Sequence, residues 1–117
     1  MSLFKRTKGY EDIKPEDTLK LFEENKDNPS YVALDVRSIE EYNQGHIENA
    51  ELLNVNSNDF EDGLAKMDKN KTYFVYCKAG HRSKKAANLM LKNGFKNVYN
   101  VLGGFDKWKS KNLPFEK

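Results

Sequence analysis

The residue of this 117-residue chain best suited to covalent chemistry is its single cysteine, Cys77. It ends a short apolar run, and the residues after it are Lys78, Ala79, Gly80, His81, Arg82 and Ser83. Small residues in that segment let the backbone approach the sulfur closely, and basic residues favour negative charge on it. Because the thiolate is the nucleophilic form of cysteine, the segment predicts a reactive thiol rather than an inert core residue.

The segment lies between an expected strand, which ends at Cys77, and an expected helix over residues 83–91. Backbone N–H groups at a helix start, together with the helix dipole, can form a concavity that binds an anion. We therefore expect a lowered pKa at Cys77. Lys78 is expected to be exposed and to steer anions. His81 either lines the entrance or faces away, and Arg82 either contacts substrate or donates from beneath the loop.

The formal charge of +2 hides a strong division along the chain. Residues 11–62 hold 15 of the 18 acidic residues and four basic ones, which gives a net charge of −11. Residues 77–105 hold six Lys and Arg and no acidic residue, which gives +6. Such a division is typical either of solvated helix faces or of a partner of one sign. Because the basic stretch begins at the thiol, it favours an anionic substrate.

Apolar runs without polar alternation are the elements that must position the thiol. They lie at residues 31–36, 73–77 and 98–102, with a weaker run at 51–55. Such runs are typical of strands buried on both faces of a parallel sheet. Helical patterns separate them: one begins at Pro15, one is capped by Ser38 with Glu41 completing a capping box, and a last one carries Phe105 and Trp108 into the core. The pattern predicts a three-layer α/β fold with a mostly parallel central sheet of about five strands and helices on both faces.

Composition excludes several classes of protein. One cysteine rules out an internal disulfide framework and a cysteine-rich zinc site. No run approaches the ~18 apolar residues of a membrane span, and the first ten residues lack the apolar stretch of a secretory signal. We expect a cytoplasmic chain with no membrane contact. We also expect one domain over residues 1–117 with its core over about 10–111, and frayed ends at 1–8 and 112–117.

Four motifs, in order, resemble those of the single-domain rhodanese-like sulfurtransferases, the thiosulfate sulfurtransferase family. Residues 77–83 match the pattern C-x-x-G-x-R-S of the family's active-site loop. Residues 35–37 resemble D-x-R, residues 40–50 resemble E-E-[FY]-x-x-G-H-I-x-x-A, and residues 103–108 resemble G-G-x-x-x-W. The chain is therefore identified as a member of this family, with the resemblance covering about residues 10–111.

The resemblance implies a mechanism and a set of partners. Cys77 would attack a small anionic sulfur donor such as thiosulfate, carry a persulfide, and pass the sulfur to cyanide, a thiol or a partner protein. Residues 78–83 would bind the substrate and the persulfide, and Asp35 and Arg37 would form a structural pair close to that loop. Neither a metal nor an organic cofactor is implied. We expect a monomer or a weak dimer.

The chain departs from part of the family in a way that affects which sulfur donor is expected. Some two-domain relatives carry an arginine near the position of Glu41, where it assists an anionic donor. The loop here also follows neither the thiosulfate-preferring nor the mercaptopyruvate-preferring sequence of those relatives. A persulfide carrier for a dedicated partner protein therefore stays open.

Two other functions compete with this interpretation. Cysteine-dependent phosphatases and arsenate reductases place five residues between the cysteine and the arginine so that a tetrahedral oxyanion fits, whereas four lie between Cys77 and Arg82. A non-catalytic binding module on the same fold is the second alternative, although such relatives commonly lose the cysteine. Nucleic-acid binding is not expected, because the basic stretch has no aromatic platform and no recognised motif. His46 is expected to be a packed, hydrogen-bonded turn residue.

Overall fold

Strands and short helices alternate along residues 9–117, the part of the chain that this computed structural model describes. In chain order they are β1 (Glu11–Ile13), α1 (Pro15–Glu24), β2 (Tyr31–Asp35), α2 (Ile39–Gln44), β3 (His46–Ile47), β4 (Glu51–Leu52), α3 (Phe60–Ala65), β5 (Thr72–Tyr76), α4 (His81–Lys92), β6 (Asn97–Val101), α5 (Gly104–Ser110) and β7 (Phe115–Glu116).

Five of the strands form a parallel sheet in the order β1-β6-β5-β2-β4. The three strong apolar runs are its inner strands β6, β5 and β2, and the weaker run supplies the edge strand β4. The predicted α/β fold with a mainly parallel five-stranded sheet is thus confirmed. The edge strand β1 was not predicted, because three residues carry too little pattern to be recognised.

The inner strands are buried on both faces, which explains why their sequences show no polar alternation. Val32, Leu34 and Val75 point toward α3 and α4, and Ala33 and Phe74 point toward the opposite layer. That opposite layer holds α1, α2 and α5, with Phe105 and Trp108 buried as predicted. None of the helices in residues 9–117 combines the length and the apolar character needed to cross a membrane.

Helix boundaries follow the capping signals, with one correction. Pro15 is the first residue of α1, and Ser38 and Glu41 form the predicted capping box at α2. The helix predicted to begin at Ser83 begins two residues earlier, at His81, because Gly80 adopts a left-handed conformation with φ of 117° and serves as its N-cap. His81 and Arg82 therefore belong to the first turn of a helix and not to a loop. Helix α3 has no counterpart among the sequence predictions.

The C-terminal segment 112–117, for which fraying stays a prediction, contains a paired strand. Phe115 and Glu116 form β7, which pairs antiparallel with β3 in a second, two-stranded sheet. The Trp108 indole N–H donates to the Pro114 carbonyl at 2.8 Å, which ties the segment to α5. Strand pairing between residues so distant in sequence leaves no local signal. Fraying was also predicted for residues 1–8, which lie outside the residues that the structure describes.

His46 is packed and hydrogen-bonded, as predicted, although it lies in β3 rather than in a turn. Its ring stacks on that of Tyr42 at 3.7 Å between centroids, and its Nδ1 lies 2.8 Å from the Tyr42 carbonyl oxygen. Its Nε2 lies 3.3 Å from a carboxylate oxygen of Glu116 in β7. The residue therefore fastens the end of α2 to the C-terminal strand.

Candidate active site

Cys77 follows the last residue of β5, at the carboxyl edge of the sheet where ligands of open α/β folds collect. Its side chain is buried, and hydrogen-bond donors converge on the sulfur from the segment that follows. The Gly80 N–H donates to Sγ at 3.1 Å and the Ser83 N–H donates at 3.3 Å. The Ser83 hydroxyl oxygen lies 3.5 Å from the same atom. The segment forms a cradle of donors around one sulfur.

The cradle changes the acidity of the thiol. Burial raises the pKa of Cys77, but hydrogen bonds from the Ser83 hydroxyl and from the backbone N–H groups of Ser83, Gly80 and Ala79 lower it by more. The resulting pKa lies below the ordinary value, in the direction that the sequence predicts. Of the influences that the sequence analysis expected, the backbone N–H groups directed at the sulfur are among the lowering causes, and the Ser83 hydroxyl adds a further hydrogen bond to the thiolate.

Gly80 is required by its backbone conformation and not by lack of space. Its φ of 117° lies in the left-handed region, and no atom lies within 4 Å of where a Cβ would stand. That conformation reverses the chain between β5 and α4 and turns the Gly80 N–H toward Cys77. Any other residue at position 80 would strain the backbone that forms the cradle.

The start of α5 fixes the orientation of the cradle from outside. The Phe105 N–H donates to the Cys77 carbonyl at 2.8 Å, and the Asp106 N–H donates to the Lys78 carbonyl at 3.0 Å. Because a trans peptide points its C=O and N–H in opposite directions, a Lys78 carbonyl held outward sends the Ala79 N–H inward. A Cβ on Gly104 would lie 2.5 Å from the Cys77 carbonyl oxygen, so this approach requires glycine.

Arg82 is partly exposed and not buried beneath the loop, and its contact with substrate stays a prediction. Its guanidinium makes a bidentate ion pair with Glu41 of α2, at 2.8 Å and 2.9 Å, and both side chains are partly exposed. The hydrogen bond from Arg82 is the main reason why the pKa of Glu41 falls to about 2. Since a depressed carboxyl pKa keeps the charged form down to that pH, the ion pair persists throughout the neutral range.

Lys78 is exposed, as predicted, but it is also paired. Its ammonium lies 2.9 Å from a carboxylate oxygen of Asp106, which α5 brings to the site from a distant part of the sequence. Two of the six basic charges in residues 77–105 thus meet carboxylates at the site. The positive field expected around Cys77 is locally balanced. His81 and Ala79 are exposed, so neither helps to bury the sulfur.

Asp35 and Arg37 form the ion pair that the sequence predicts, buried at the end of β2. Arg37 Nη2 lies 2.7 Å from Asp35 Oδ2 and donates to the Gly45 carbonyl at 2.7 Å. The guanidinium also stacks over the Phe105 ring at 4.6 Å from its centroid. The pair therefore joins β2, the end of α2 and α5, which are the elements that surround the cradle.

A small cavity of about 100 Å³ lies beside the cradle. Its charged lining residues are Arg37, Glu41, Lys78, Asp106 and Lys109, so the Lys78–Asp106 pair and the Glu41 partner of Arg82 border it. A ligand entering here would meet carboxylates as well as cations. Residues 9–117 contain no cluster of three or more His, Cys, Asp or Glu side chains arranged to hold a metal ion.

Two further residues of the site escaped the sequence analysis. Asn100 of β6 is buried, and its Oδ1 accepts a hydrogen bond from the Ser83 hydroxyl at 2.6 Å. Its Nδ2 donates to Asp12 Oδ1 of β1 at 3.0 Å. The available signal was a polar residue within the apolar run 98–102, at a position that a buried strand normally gives to an aliphatic side chain.

Comparison with known proteins agrees with this geometry. The model of the family described as "Rhodanese-like domain" matches residues 18–111. The chain belongs to the rhodanese-like domain family. A rhodanese-related protein from Thermoplasma volcanium has a similar fold, with a TM-score of 0.76 at 26% identity over 92% of this chain and 98% of that one. The polysulfide-sulfur transferase of Wolinella succinogenes gives a TM-score of 0.74 at 32% identity over 92% and 79% of the two chains.

Among curated proteins, the tRNA uridine(34) hydroxylase of Photorhabdus laumondii is 43% identical over 91 residues, which are 73% of this chain and 25% of that protein. The protein of the same name from Yersinia pestis is 41% identical over 77% of this chain and 28% of its own length. The rhodanese-like domain described here therefore spans about a quarter of these relatives.

Replacing Gly104 by alanine tests whether α5 orients the cradle. A Cβ at this position displaces the Cys77 and Lys78 carbonyls, so we expect Gly104→Ala to slow alkylation of Cys77 by iodoacetamide at neutral pH about tenfold, the value of one hydrogen bond to an anion. Gly94→Ala is the matched control, because Gly94 also has a positive φ, of 90°, but its Cβ would meet only the side chain of Lys69. Both variants should lose stability to urea through strain. Equal alkylation rates in the two variants would contradict this role for Gly104.

Proposed function

We propose that this rhodanese-like domain is a sulfurtransferase that carries a persulfide on Cys77. One observation carries the proposal: the Gly80 and Ser83 N–H groups converge on a single buried sulfur at 3.1 Å and 3.3 Å. Fixed donors directed at a reacting atom stabilise the negative charge that it bears, without any reorganisation during the reaction. Membership of the rhodanese-like family and the likeness to a polysulfide-sulfur transferase support the same chemistry.

Sulfur transfer would proceed in two displacements on Cys77. The thiolate attacks the outer sulfur of a donor such as thiosulfate, a sulfur–sulfur bond forms to Cys77, and the bond inside the donor breaks so that sulfite leaves with the electron pair. An acceptor, which is cyanide, a thiol or a partner protein, then attacks the outer sulfur of the persulfide. The Cys77 thiolate leaves and is ready for another cycle.

The charged side chains that border the cavity affect which sulfur donor the site favours. Glu41 is ionised throughout the neutral range and is bonded to Arg82, and Asp106 is bonded to Lys78. A dianion such as thiosulfate must compete with these carboxylates for the same cations. This arrangement favours a donor of lower charge, and the persulfide of a partner protein fits that description better than free thiosulfate does.

The name of the curated relatives favours a second candidate function, hydroxylation of a uridine in tRNA. The observation in its favour is the 43% identity over 91 residues with one such hydroxylase. The chain spans a quarter of that relative, and the cradle around Cys77 is built for a sulfur anion. We therefore rank hydroxylation below sulfur transfer.

Intact mass spectrometry tests the persulfide directly. After incubation with thiosulfate or, separately, with sodium polysulfide, we expect the protein to gain the mass of one sulfur atom, and cyanide should remove it as thiocyanate. Cys77→Ser should gain nothing, because the proposed covalent link needs the thiol. A gain that survives in Cys77→Ser, or no gain from either donor in the unmodified protein, would show the proposal to be wrong.

Replacing Glu41 by glutamine tests the proposed competition for Arg82. The glutamine side chain can still accept from the Ser38 N–H, so α2 keeps its cap, while Arg82 loses its anionic partner. We expect kcat/KM for thiosulfate to rise about two- to fivefold, as the energy of a partly exposed ion pair allows. Glu40→Gln makes the same charge change at the exposed neighbouring position and should leave the rate unchanged. A fall in the Glu41→Gln rate would mean that the ion pair serves to position Arg82.

The hydroxylase alternative is checked with a tRNA transcript that carries uridine at position 34, the position in the relatives' name. The domain is incubated with the transcript in air, with dithiothreitol as the source of the two electrons that insertion of one oxygen atom from O₂ requires. The masses of the digested nucleosides are then measured by mass spectrometry. We expect no uridine that has gained an oxygen atom. An oxygenated uridine that forms with the unmodified protein and not with Cys77→Ser would reverse the ranking of the two functions.

A further inference from the structure

A buried polar chain runs from Cys77 to the edge of the sheet. The Ser83 hydroxyl donates to Asn100 Oδ1 at 2.6 Å, and Asn100 Nδ2 donates to Asp12 Oδ1 at 3.0 Å. Asn100 is only 1% exposed, although its strand neighbours Val98 and Val101 are apolar core residues. Burying an amide costs free energy unless its hydrogen bonds are made, so Asn100 depends on its hydrogen bonds to Ser83 and Asp12.

The orientation of the Asn100 amide follows from its partners. The carboxylate of Asp12 can only accept, so it holds the NH₂ group on the β1 side. The carbonyl oxygen of the amide is therefore turned toward Ser83, where it can only accept. Since Asp12 and Asn100 are paired residues in the register of β1 and β6, the sheet itself holds this arrangement.

The Ser83 hydroxyl has one proton and three acceptors within reach. They are Asn100 Oδ1 at 2.6 Å, the Gly80 carbonyl at 3.2 Å and Cys77 Sγ at 3.5 Å. The shortest contact takes the proton, so a lone pair of the hydroxyl faces the sulfur and accepts from a neutral thiol. A thiolate has no proton to give, and the hydroxyl must then turn its own proton from Asn100 to the sulfur.

We propose that Asn100 is a positioning residue that holds the Ser83 hydroxyl proton away from neutral Cys77 and releases it to the sulfur when the sulfur becomes an anion. The contact to Asn100 is lost whenever the contact to the anion is made, so Asn100 opposes ionisation and limits how far the cradle raises the acidity of the thiol. The proposal deepens the proposed function because it concerns the same thiol. Its test measures ionisation and alkylation, so either proposal can fail without the other.

The ion-paired groups near Cys77, and His81 in the exposed first turn of α4, stay unchanged in the Asn100 and Ser83 variants. Arg82 of α4 is bonded to Glu41, and Lys78 of the loop is bonded to Asp106. On the β2 side, Asp35 is bonded to Arg37. Lys84 and Lys85 lie on the exposed face of α4, and Asp12, at the far end of the polar chain, is the one charged group that the variants below alter.

Asn100→Leu removes the competing acceptor and keeps a side chain of similar size in the core. Of the three acceptors, only the longer contact to the Gly80 carbonyl then competes with the thiolate for the Ser83 proton, so we expect the apparent pKa of Cys77 to fall by about one unit, the value of a hydrogen bond to an anion. The measurements are the pH dependence of iodoacetamide alkylation and of the ultraviolet absorbance of the thiolate. Urea denaturation separately reports any loss of packing.

Ser83→Ala distinguishes this route from a general effect of packing. Without the hydroxyl, the apparent pKa of Cys77 should rise, and adding Asn100→Leu to Ser83→Ala should change it no further. Such a double-mutant cycle isolates the coupling between the two side chains. If Asn100→Leu shifts the titration equally with and without the Ser83 hydroxyl, or does not shift it at all, the proposal is overturned.

Asp12 provides a second pair of variants that leaves the core untouched, because its side chain is exposed. Asp12→Asn removes the charge but still offers an oxygen to the Asn100 NH₂ group, so the apparent pKa of Cys77 should stay unchanged. Asp12→Ala removes the anchor, and the Asn100 amide can then turn over and donate to Ser83, which lowers the apparent pKa. Equal shifts in the two Asp12 variants would indicate charge alone and would contradict the proposal.

Discussion

The site depends on the direction of two peptide groups. The carbonyls of Cys77 and Lys78 are held by N–H groups at the start of α5, and the outward Lys78 carbonyl turns the Ala79 N–H toward the sulfur. This approach is close enough that Gly104 has no room for a Cβ, and it requires α5 to be anchored. Phe105 and Trp108, buried on that face of the sheet, provide the anchor, and the stacking of Arg37 on Phe105 ties it to β2. Packing behind the site thus holds in place the start of the segment whose N–H groups converge in front of it.

Electrostatics acts at this site over short distances. The uneven distribution of charge along the chain predicts a basic surface around Cys77, yet the fold brings acidic residues from elsewhere to Arg82 and Lys78. The thiolate is favoured mainly by a set of hydrogen bonds to the Cys77 sulfur. Hydrogen bonds of this kind discriminate by geometry, whereas a field of positive charge attracts any anion. The site is therefore suited to holding a single sulfur and less suited to gathering free dianions.

Local sequence patterns account for much of the fold. Apolar runs such as 31–36 and 73–77 predict the buried strands. Ser38 and Glu41 predict a helix start, because their capping contacts lie within four residues. The missed elements lack such signals. Strand β1 is three residues long, α3 has no side-chain cap hydrogen bond, and the pairing of β3 with β7 joins residues about seventy positions apart. The start of α4 was placed late because its cap is a glycine conformation rather than a side chain.

The sequence by itself determined the α/β architecture and the family, and it indicated Cys77 and the segment after it as the candidate active site, because each depends on contiguous residues whose chemistry is local. Only the tertiary structure decided which partners those residues meet. Glu41 contacts Arg82, Asp106 contacts Lys78, Asn100 contacts Ser83 and Asp12 contacts Asn100, because strands and helices that are distant in sequence lie close together in the fold. The acidity of a buried thiol depends on the direction and distance of its donors within a few ångströms, and only the packed fold sets those quantities.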